Sequence, residues 1–339
     1  MKNNAGDKIS AKKKKAVSAA AALLGCAALL LLFSSCKDAD ALPAMARPSV
    51  PAETPIGFAT PTSPEKTPLP TPAPTPEPTP SGLCGGRFDV FTDGEVIQTE
   101  NEYRTREVAV FLSEVHRQPG EISDYQVSYL LADIYVQNIA DLRCATAKGS
   151  LDSRMRVRDL AETSRAAIAI TGDYTAWRDK GFSVRNGEIF RTKEHKTRDI
   201  GVMFSDGVLR TFEAGTFDVQ EILALNPLHV WSFGPELLSE NGASKTEFCS
   251  TIAGKRSSRA VIGYYEPGHY CFVLVFYSTR QSSGILMADL SRLMQELGCV
   301  SAYNLDGGAT AHMYFNGKVH RAHNGTRPVN DIIYVPLAD

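Results

Sequence analysis

Asn304-Leu305-Asp306-Gly307-Gly308-Ala309-Thr310-Ala311-His312-Met313 is the stretch on which the fold reading turns. It follows the apolar run Cys299-Val300-Ser301-Ala302-Tyr303, which reads as a buried strand, and a helix-like segment over residues 286–297 precedes that run. An Asp and two glycines at a strand end bring a carboxylate beside bare backbone. Paired glycines admit a close ligand or supply φ > 0, and successive N–H groups in such a turn form an anion-binding nest. The plain alternative is a tight turn capped by Asp306, since Asp-Gly is also a common hairpin signal. His312 alternates with Thr310 and Tyr314, which predicts a place on the solvent face of a strand.

Outward from this stretch the chain alternates strands and turns. Residues 107–112 and 126–136 read as strands, and residues 160–167 as a short helix feeding the apolar run 166–171. Asn186-Gly187 and Asp206-Gly207 each sit between two apolar runs, which predicts two hairpins. Residues 217–225 read as a helix and 229–233 as a strand. Residues 259–265 and 270–277 read as paired strands, and 331–335 as a last strand. Several hairpins with two or three helices predict an α+β domain of mixed, largely antiparallel β-sheets with a few packed helices.

The globular composition begins near residue 82 and runs to 339, a length that suits one large domain or two interleaved lobes. Before it, residues 37–81 form a Pro/Thr-rich linker. Thirteen of the nineteen prolines lie between Pro43 and Pro80, so this segment favours extended polyproline II and cannot bury a core. At ~3.1 Å per residue it would reach on the order of 100 Å. Residues 1–36 carry a lysine cluster, then eighteen uncharged residues from Ala16 to Phe33, then Ser34-Ser35-Cys36. This pattern fits either a signal anchor or a lipoprotein signal cleaved before Cys36. Both readings anchor the chain to a membrane and place the remainder outside the cytoplasm, with the lysines inside.

Lys and Arg total 36 against 38 Asp and Glu, and without a basic stripe nucleic acid is not an expected partner. Of the seven cysteines, Cys84, Cys144, Cys249, Cys271 and Cys299 fall in the globular part. They show no CxxC spacing and no paired His, so no zinc site is implied. Cys144, Cys271 and Cys299 sit in apolar runs and read as buried thiols.

Polar residues recur at the ends of apolar runs, where a rigid scaffold positions side chains well. Asp173 follows Thr171-Gly172. Ser232 and Gly234 follow Trp231. Arg259 opens one strand and Arg280 ends the next. Asn304 and Asp306 end another. Each has an ordinary structural role as an alternative: a turn cap for Asp173, a structural ion pair for Arg259, a loop hydroxyl for Ser232.

The ordered set Trp231-Ser232-Phe233-Gly234-Pro235-Glu236-Leu237, Ser258-Arg259-Ala260-Val261-Ile262-Gly263, Gly284 through the helix to Gly298, Asn304-Leu305-Asp306-Gly307-Gly308 and Arg327 resembles the phosphodiester glycosidase family. The resemblance spans roughly residues 125–336 and is nearest to bacterial cell-surface members. Family members usually carry a third Gly and a Ser where this chain has Ala309 and Thr310, and often Asp-Gly-Arg where it has Ser278-Thr279-Arg280. The resemblance implies hydrolysis of a glycosyl-1-phosphodiester, with a sugar-phosphate substrate or cell-wall glycopolymer as partner. In that chemistry the leaving group is a phosphomonoester with a second pKa of about 6, which scarcely needs a general acid. It needs charge stabilisation, supplied by Arg259 and Arg280 and by the Gly307 and Gly308 N–H groups. Asp306 then supports the oxocarbenium-like transition state as nucleophile or as base for water, with Asp173 as second carboxylate. Ser232, Gly234, Asn304, Thr310 and Arg327 complete the expected substrate contacts. No cofactor or metal is expected; a divalent cation beside Asp306 is compatible with this chemistry but not required by it. Binding of a phosphate-containing polymer without cleavage is the competing expectation.

Overall fold

A computed structural model describes residues 88–338 except 176–178, 249, 251, 278, 281 and 324–325. The expected anchor and linker, together with Cys84, Cys249 and Ser278, lie outside the described residues.

Three antiparallel sheets carry the fold. The first contains β1 (Ile97–Gln98), β2 (Glu102–Arg104), β3 (Val108–Arg117), β4 (Val127–Val136), β12 (Arg259–Glu266), β13 (His269–Val275) and β14 (Ser301–Asn304), in the order β1-β2-β3-β4-β13-β12-β14. The second contains β7 (Ser183–Arg185), β8 (Glu188–Arg191), β9 (Ile200–Phe204), β10 (Leu209–Phe212) and β11 (Pro227–Trp231), in the order β10-β9-β11-β7-β8. The third contains β5 (Arg143–Thr146), β6 (Ala166–Thr171), β15 (His312–Phe315), β16 (Lys318–Arg321) and β17 (Asp331–Pro336), in the order β16-β15-β6-β17-β5. Among the described residues three α-helices accompany them: α1 (Val157–Thr163), α2 (Val219–Ala224) and α3 (Met287–Glu296). The expectation of an α+β fold with largely antiparallel sheets is met.

The inner strands of the first sheet, β4, β13, β12 and β14, are buried on both faces. Ala260, Ile262 and Tyr264 of β12 enter a core shared by all three sheets, with Ile170, Met313, Trp231 and Ile333. Val261 points the other way, with Cys271, Val273 and Ala302, and packs under Met287, Leu290, Leu293 and Met294 of α3. A strand covered on both faces reads as a continuous apolar run, which is why this pair was legible in the sequence. Cys144, Cys271 and Cys299 are buried free thiols, as expected.

Two elements are displaced from their expected places. α1 begins three residues before the expected helix and ends at Thr163, because Arg165 turns to φ +52° and Ala166 already pairs with Pro336 of β17. β11 stops at Trp231 rather than Phe233, because the Ser232 and Phe233 N–H groups leave the sheet and donate to the Asp173 carboxylate at 2.8 Å each.

That carboxylate belongs to a buried network joining the second and third sheets. Arg185 of β7 donates through Nε to Asp331 Oδ2 at 2.6 Å and through Nη2 to Asp173 Oδ2 at 3.4 Å. Its Nη1 donates to the Val184 and Val230 carbonyls. Asp331 Oδ1 in turn accepts the Asp173 N–H at 2.7 Å. All three side chains are no more than 1% exposed. Burial works against the guanidinium charge, but the two carboxylates outweigh it and hold the Arg185 pKa above its ordinary value. Gly172 is required here, since a Cβ would lie 2.4 Å from Asp331 Oδ1.

Removing one partner from a buried ion pair leaves an uncompensated charge and costs about 3–5 kcal/mol. Arg185→Met is therefore expected to lose stability of that order in urea denaturation, with Arg158→Met, on the exposed face of α1, changing it by less than about 0.5 kcal/mol.

Candidate active site

Asp306 sits where all three sheets converge. β14 ends at Asn304, the Leu305 N–H donates to the Ala260 carbonyl at 2.8 Å, and the Asp306 N–H donates to the Gly172 carbonyl at 2.9 Å. This last bond ties the residue after Leu305 to the residue before Asp173. The Asp306 side chain accepts the Gly307 N–H at 2.9 Å. The Thr310 hydroxyl lies within reach of the same carboxylate and donates to the Gly307 carbonyl at 2.7 Å. Burial pushes the Asp306 pKa up to about 6, against the lowering effects of Thr310, the Arg327 charge and the Gly307 N–H, and the Asp173 charge adds to the rise. Asp306 is thus a nearly buried carboxylate, 6% exposed, that is ionised at neutral pH at an energetic cost.

Asp173 is raised to about 6 as well, chiefly by burial, with Arg185 opposing and Asp331 reinforcing the rise. Its two oxygens accept from Ser232, Phe233 and Arg185, so its orientation is fixed. Asp173 and Asp306 are close enough to repel one another. They differ in surroundings: Asp173 is held by internal donors on both oxygens, whereas Asp306 stands beside an exposed arginine.

That arginine is Arg327. Its N–H donates to the Ala309 carbonyl at 3.1 Å, which fixes it over the Asp306 turn. The sequence pattern ranks Arg259 above it, but Arg259 is turned into the protein while Arg327 is exposed. Arg259 is 2% exposed, and its Nη2 donates to the Ile252 and Lys255 carbonyls at 3.1 and 2.8 Å. Burial lowers its pKa to about 10, and among the described residues no carboxylate forms an ion pair with it. A strand-end arginine inside the protein turns to the nearest carbonyls, since a buried guanidinium without partners is costly.

The expected anion nest is likewise closed. The Gly308 N–H donates to the Ser258 carbonyl at 3.1 Å, and the Gly307 N–H faces Asp306 itself. Gly307 serves close packing instead, since a Cβ there would lie 2.9 Å from the Ser258 carbonyl oxygen. Ala309 is not among the residues with positive φ, so the missing third glycine imposes no backbone strain. Asn304 is fully buried and donates through Nδ2 to the Gly234 carbonyl at 2.8 Å, which holds the Ser232–Pro235 turn against β14. Its Oδ1 has no hydrogen-bond donor among the described residues. Arg280 is exposed in the turn after β13, and among the described residues no bond links it to the Asp306 cluster. His312, expected to face solvent, is 5% exposed and engages the Thr310 carbonyl through Nδ1 at 2.9 Å.

Arg185 and Asp331 were not singled out from the sequence. Arg185 precedes Asn186-Gly187 and looks like an exposed hairpin residue. The available signal was Asp331, a charged residue opening an apolar strand that is buried from Asp331 to Val335.

A cleft of about 290 Å³ is lined by His312 and Arg327 together with Arg156, Arg158 and Arg321, and connects to the Asp306 turn through the bonds of Arg327 to Ala309 and of His312 to Thr310; Asp306 itself is not a lining residue. A larger cleft of about 660 Å³, lined by Thr211, Glu213, Glu236 and Ser301, contains none of the candidate residues. Among the described residues no group of three or more His, Cys, Asp and Glu side chains converges on a metal position. Chemically, the cluster offers one ionised carboxylate within electrostatic reach of one exposed cation, suited to a ligand with a developing positive charge on one side and an anion on the other.

Comparison with known proteins bears on the same stretch. Residues 164–336, just over half of the chain, match the phosphodiester glycosidase family. The catalytic domain of zebrafish N-acetylglucosamine-1-phosphodiester alpha-N-acetylglucosaminidase, auto-inhibited by its pro-peptide, has a similar fold. The TM-score is 0.54 at 17% identity, covering 68% of this chain and 83% of that one. A hypothetical protein from Synechocystis aligns with a TM-score of 0.51 at 13% identity, over 68% of this chain and 62% of the other. The SPbeta prophage-derived uncharacterized protein YomE of Bacillus subtilis (strain 168) is 23% identical over 175 residues. That match takes in 49% of this chain and spans 27% of YomE.

The environment of Asp306 has a measurable consequence. Its carboxyl holds a proton more tightly folded, at about 6, than at the ordinary 3.8. Between these values the folded state carries the extra proton, so stability falls as pH rises through that window, and the full cost stands above pH 6. Asp306→Asn removes the cost. The variant is expected to melt several degrees higher than the parent at pH 7.5, with the gap closing below about pH 4; equal melting temperatures at both pH values would contradict the assignment.

Proposed function

The chain belongs to the phosphodiester glycosidase family, and from that premise we propose that it hydrolyses a glycosyl-1-phosphodiester, releasing a sugar and a phosphomonoester. The observation that carries this reading is the nearly buried Asp306 carboxylate within electrostatic reach of the exposed Arg327 guanidinium. Cleavage of the anomeric carbon–oxygen bond develops positive charge on the sugar and negative charge on the departing phosphate. Asp306 faces the first and Arg327 the second. Asp306 acts as nucleophile or as base for water, Thr310 and the Gly307 N–H orient it, and Arg327 grips phosphate oxygens bidentately. Asp173 is a positioning carboxylate in this scheme, holding the Ser232–Phe233 backbone and raising the Asp306 pKa through its charge.

The lysine cluster, uncharged run and proline-rich segment of residues 1–81 support an extracytoplasmic, membrane-anchored setting. An N-acetylglucosamine-like sugar on a surface glycopolymer or glycoconjugate suits that setting. One observation favours a second reading, capture of such a polymer without cleavage: Arg259 and the glycine N–H groups at Gly307 and Gly308 are all engaged internally.

Two measurements test the enzyme reading. Asp306→Asn and Arg327→Ala are each expected to lower sugar release from a synthetic sugar-1-phosphodiester on the order of 10²-fold, the scale of one lost transition-state partner. Parent activity is expected to rise with pH through about 6 as Asp306 ionises. Unchanged rates in folded Asp306→Asn protein would exclude Asp306; retained polymer binding with no product from the parent protein would establish the capture reading instead.

A further inference from the structure

The cleft that Arg327 shares has a charge pattern that cleavage of a single phosphodiester does not use. Arg156, Arg158, Arg321 and Arg327 line it, with Asp159 the opposing charge among its lining residues. All four arginines are exposed. Among the described residues Arg158 pairs with Glu162 at 3.4 Å, and Arg156, Arg321 and Arg327 have no ion-pair partner.

Backbone bonds hold the four together. Met155 and Val329 exchange hydrogen bonds at 2.9 Å in both directions, which sets Arg156 beside the segment carrying Arg327. Arg321 of β16 lies opposite His312 of β15 in the ladder, and Arg158 belongs to the first turn of α1. Four arginines, one of them paired with Glu162, concentrate positive charge on one cleft, and such a concentration attracts a polyanion. Arg156 and Arg158 lie just before the residues 164–336 that match the phosphodiester glycosidase family.

We infer that the arginine cleft binds a second phosphate group of the same substrate molecule, which makes the preferred substrate a chain of repeating phosphodiesters with the sugar removed at one end. The inference rests on the reading of Asp306 and Arg327 as the cleavage site. Arg327 then bridges two phosphates: the one leaving the sugar and the next one along, which Arg156, Arg158 and Arg321 hold.

The test uses the full chain and two synthetic substrates. One carries the sugar-1-phosphodiester with an uncharged alkyl aglycone; the other carries the same sugar on an oligo(glycerol phosphate) of three phosphates. In the parent, kcat/KM for the three-phosphate substrate is expected to exceed that for the single-phosphate one by about tenfold or more, the scale of one charge-assisted contact. The double variant Arg156→Gln/Arg158→Gln is expected to bring the ratio towards one, mainly through KM, and added salt to do the same. A ratio near one in the parent, or one unmoved by the double variant, overturns the proposal.

Binding separates its failure from that of the cleavage reading. Fluorescently labelled oligo(glycerol phosphate) is titrated into Asp306→Asn protein with and without the two arginine changes. Loss of about tenfold in affinity supports the cleft even if neither substrate is cleaved. Equal affinity overturns it, as does equally tight binding of a single-stranded DNA oligomer of the same charge, or displacement by inorganic phosphate at concentrations that match the oligomer's.

Discussion

Asp331 and Asp173 share one guanidinium, that of Arg185, in a place where none of the three side chains is more than 1% exposed. Burying three charges is costly, and their mutual attraction compensates only when geometry is good and the remaining lone pairs are satisfied. Here those conditions are met by backbone. The Ser232 and Phe233 N–H groups reach Asp173, the Asp173 N–H reaches Asp331, and the Val184 and Val230 carbonyls accept from the guanidinium Nη1. Each bond constrains a strand end, so the network decides where β6, β7 and β11 stop and where β17 begins.

The position of Asp306 follows from that constraint. Its N–H meets the Gly172 carbonyl one residue before Asp173, and Gly172 has no room for a side chain because Asp331 occupies the space. The Asn304 amide pins the far side of the same junction through the Gly234 carbonyl. A carboxylate so placed is desolvated and lies near another carboxylate, which is electrostatically unfavourable for the folded state. Such an arrangement is typical of places where a protein gives up stability for chemistry.

Local pattern carried much of the fold. Asn186 and Gly187 both adopt positive φ at the predicted hairpin, as the pair requires, and Asp206-Gly207 likewise joins β9 to β10. The apolar runs of β12, β13 and β6 were legible because both faces are covered. Short strands such as β1, β2, β5 and β16 were not, since partial exposure gives them no clear period. Within the candidate site, Asp306 and Arg327 were named from their motifs. Their ranking was not legible: Arg259 and Arg327 look alike in sequence, but one ends beside loop carbonyls and the other beside solvent and a carboxylate.

The sequence by itself determined the α+β class, the two hairpins, the α3 amphipathic segment and the candidacy of the Asp306 turn. These depend on contacts between residues near one another in the chain, so periodicity and turn chemistry suffice to read them. Only the tertiary structure decided that Arg185 and Asp331 form the joint, that the glycine N–H groups face inward, and that Arg156, Arg158, Arg321 and Arg327 share one cleft. The arginines come from segments more than 160 positions apart, and the charge of the whole chain is nearly balanced, so their convergence leaves no trace in composition. Electrostatics acts through space, and only the folded backbone fixes which charges are neighbours.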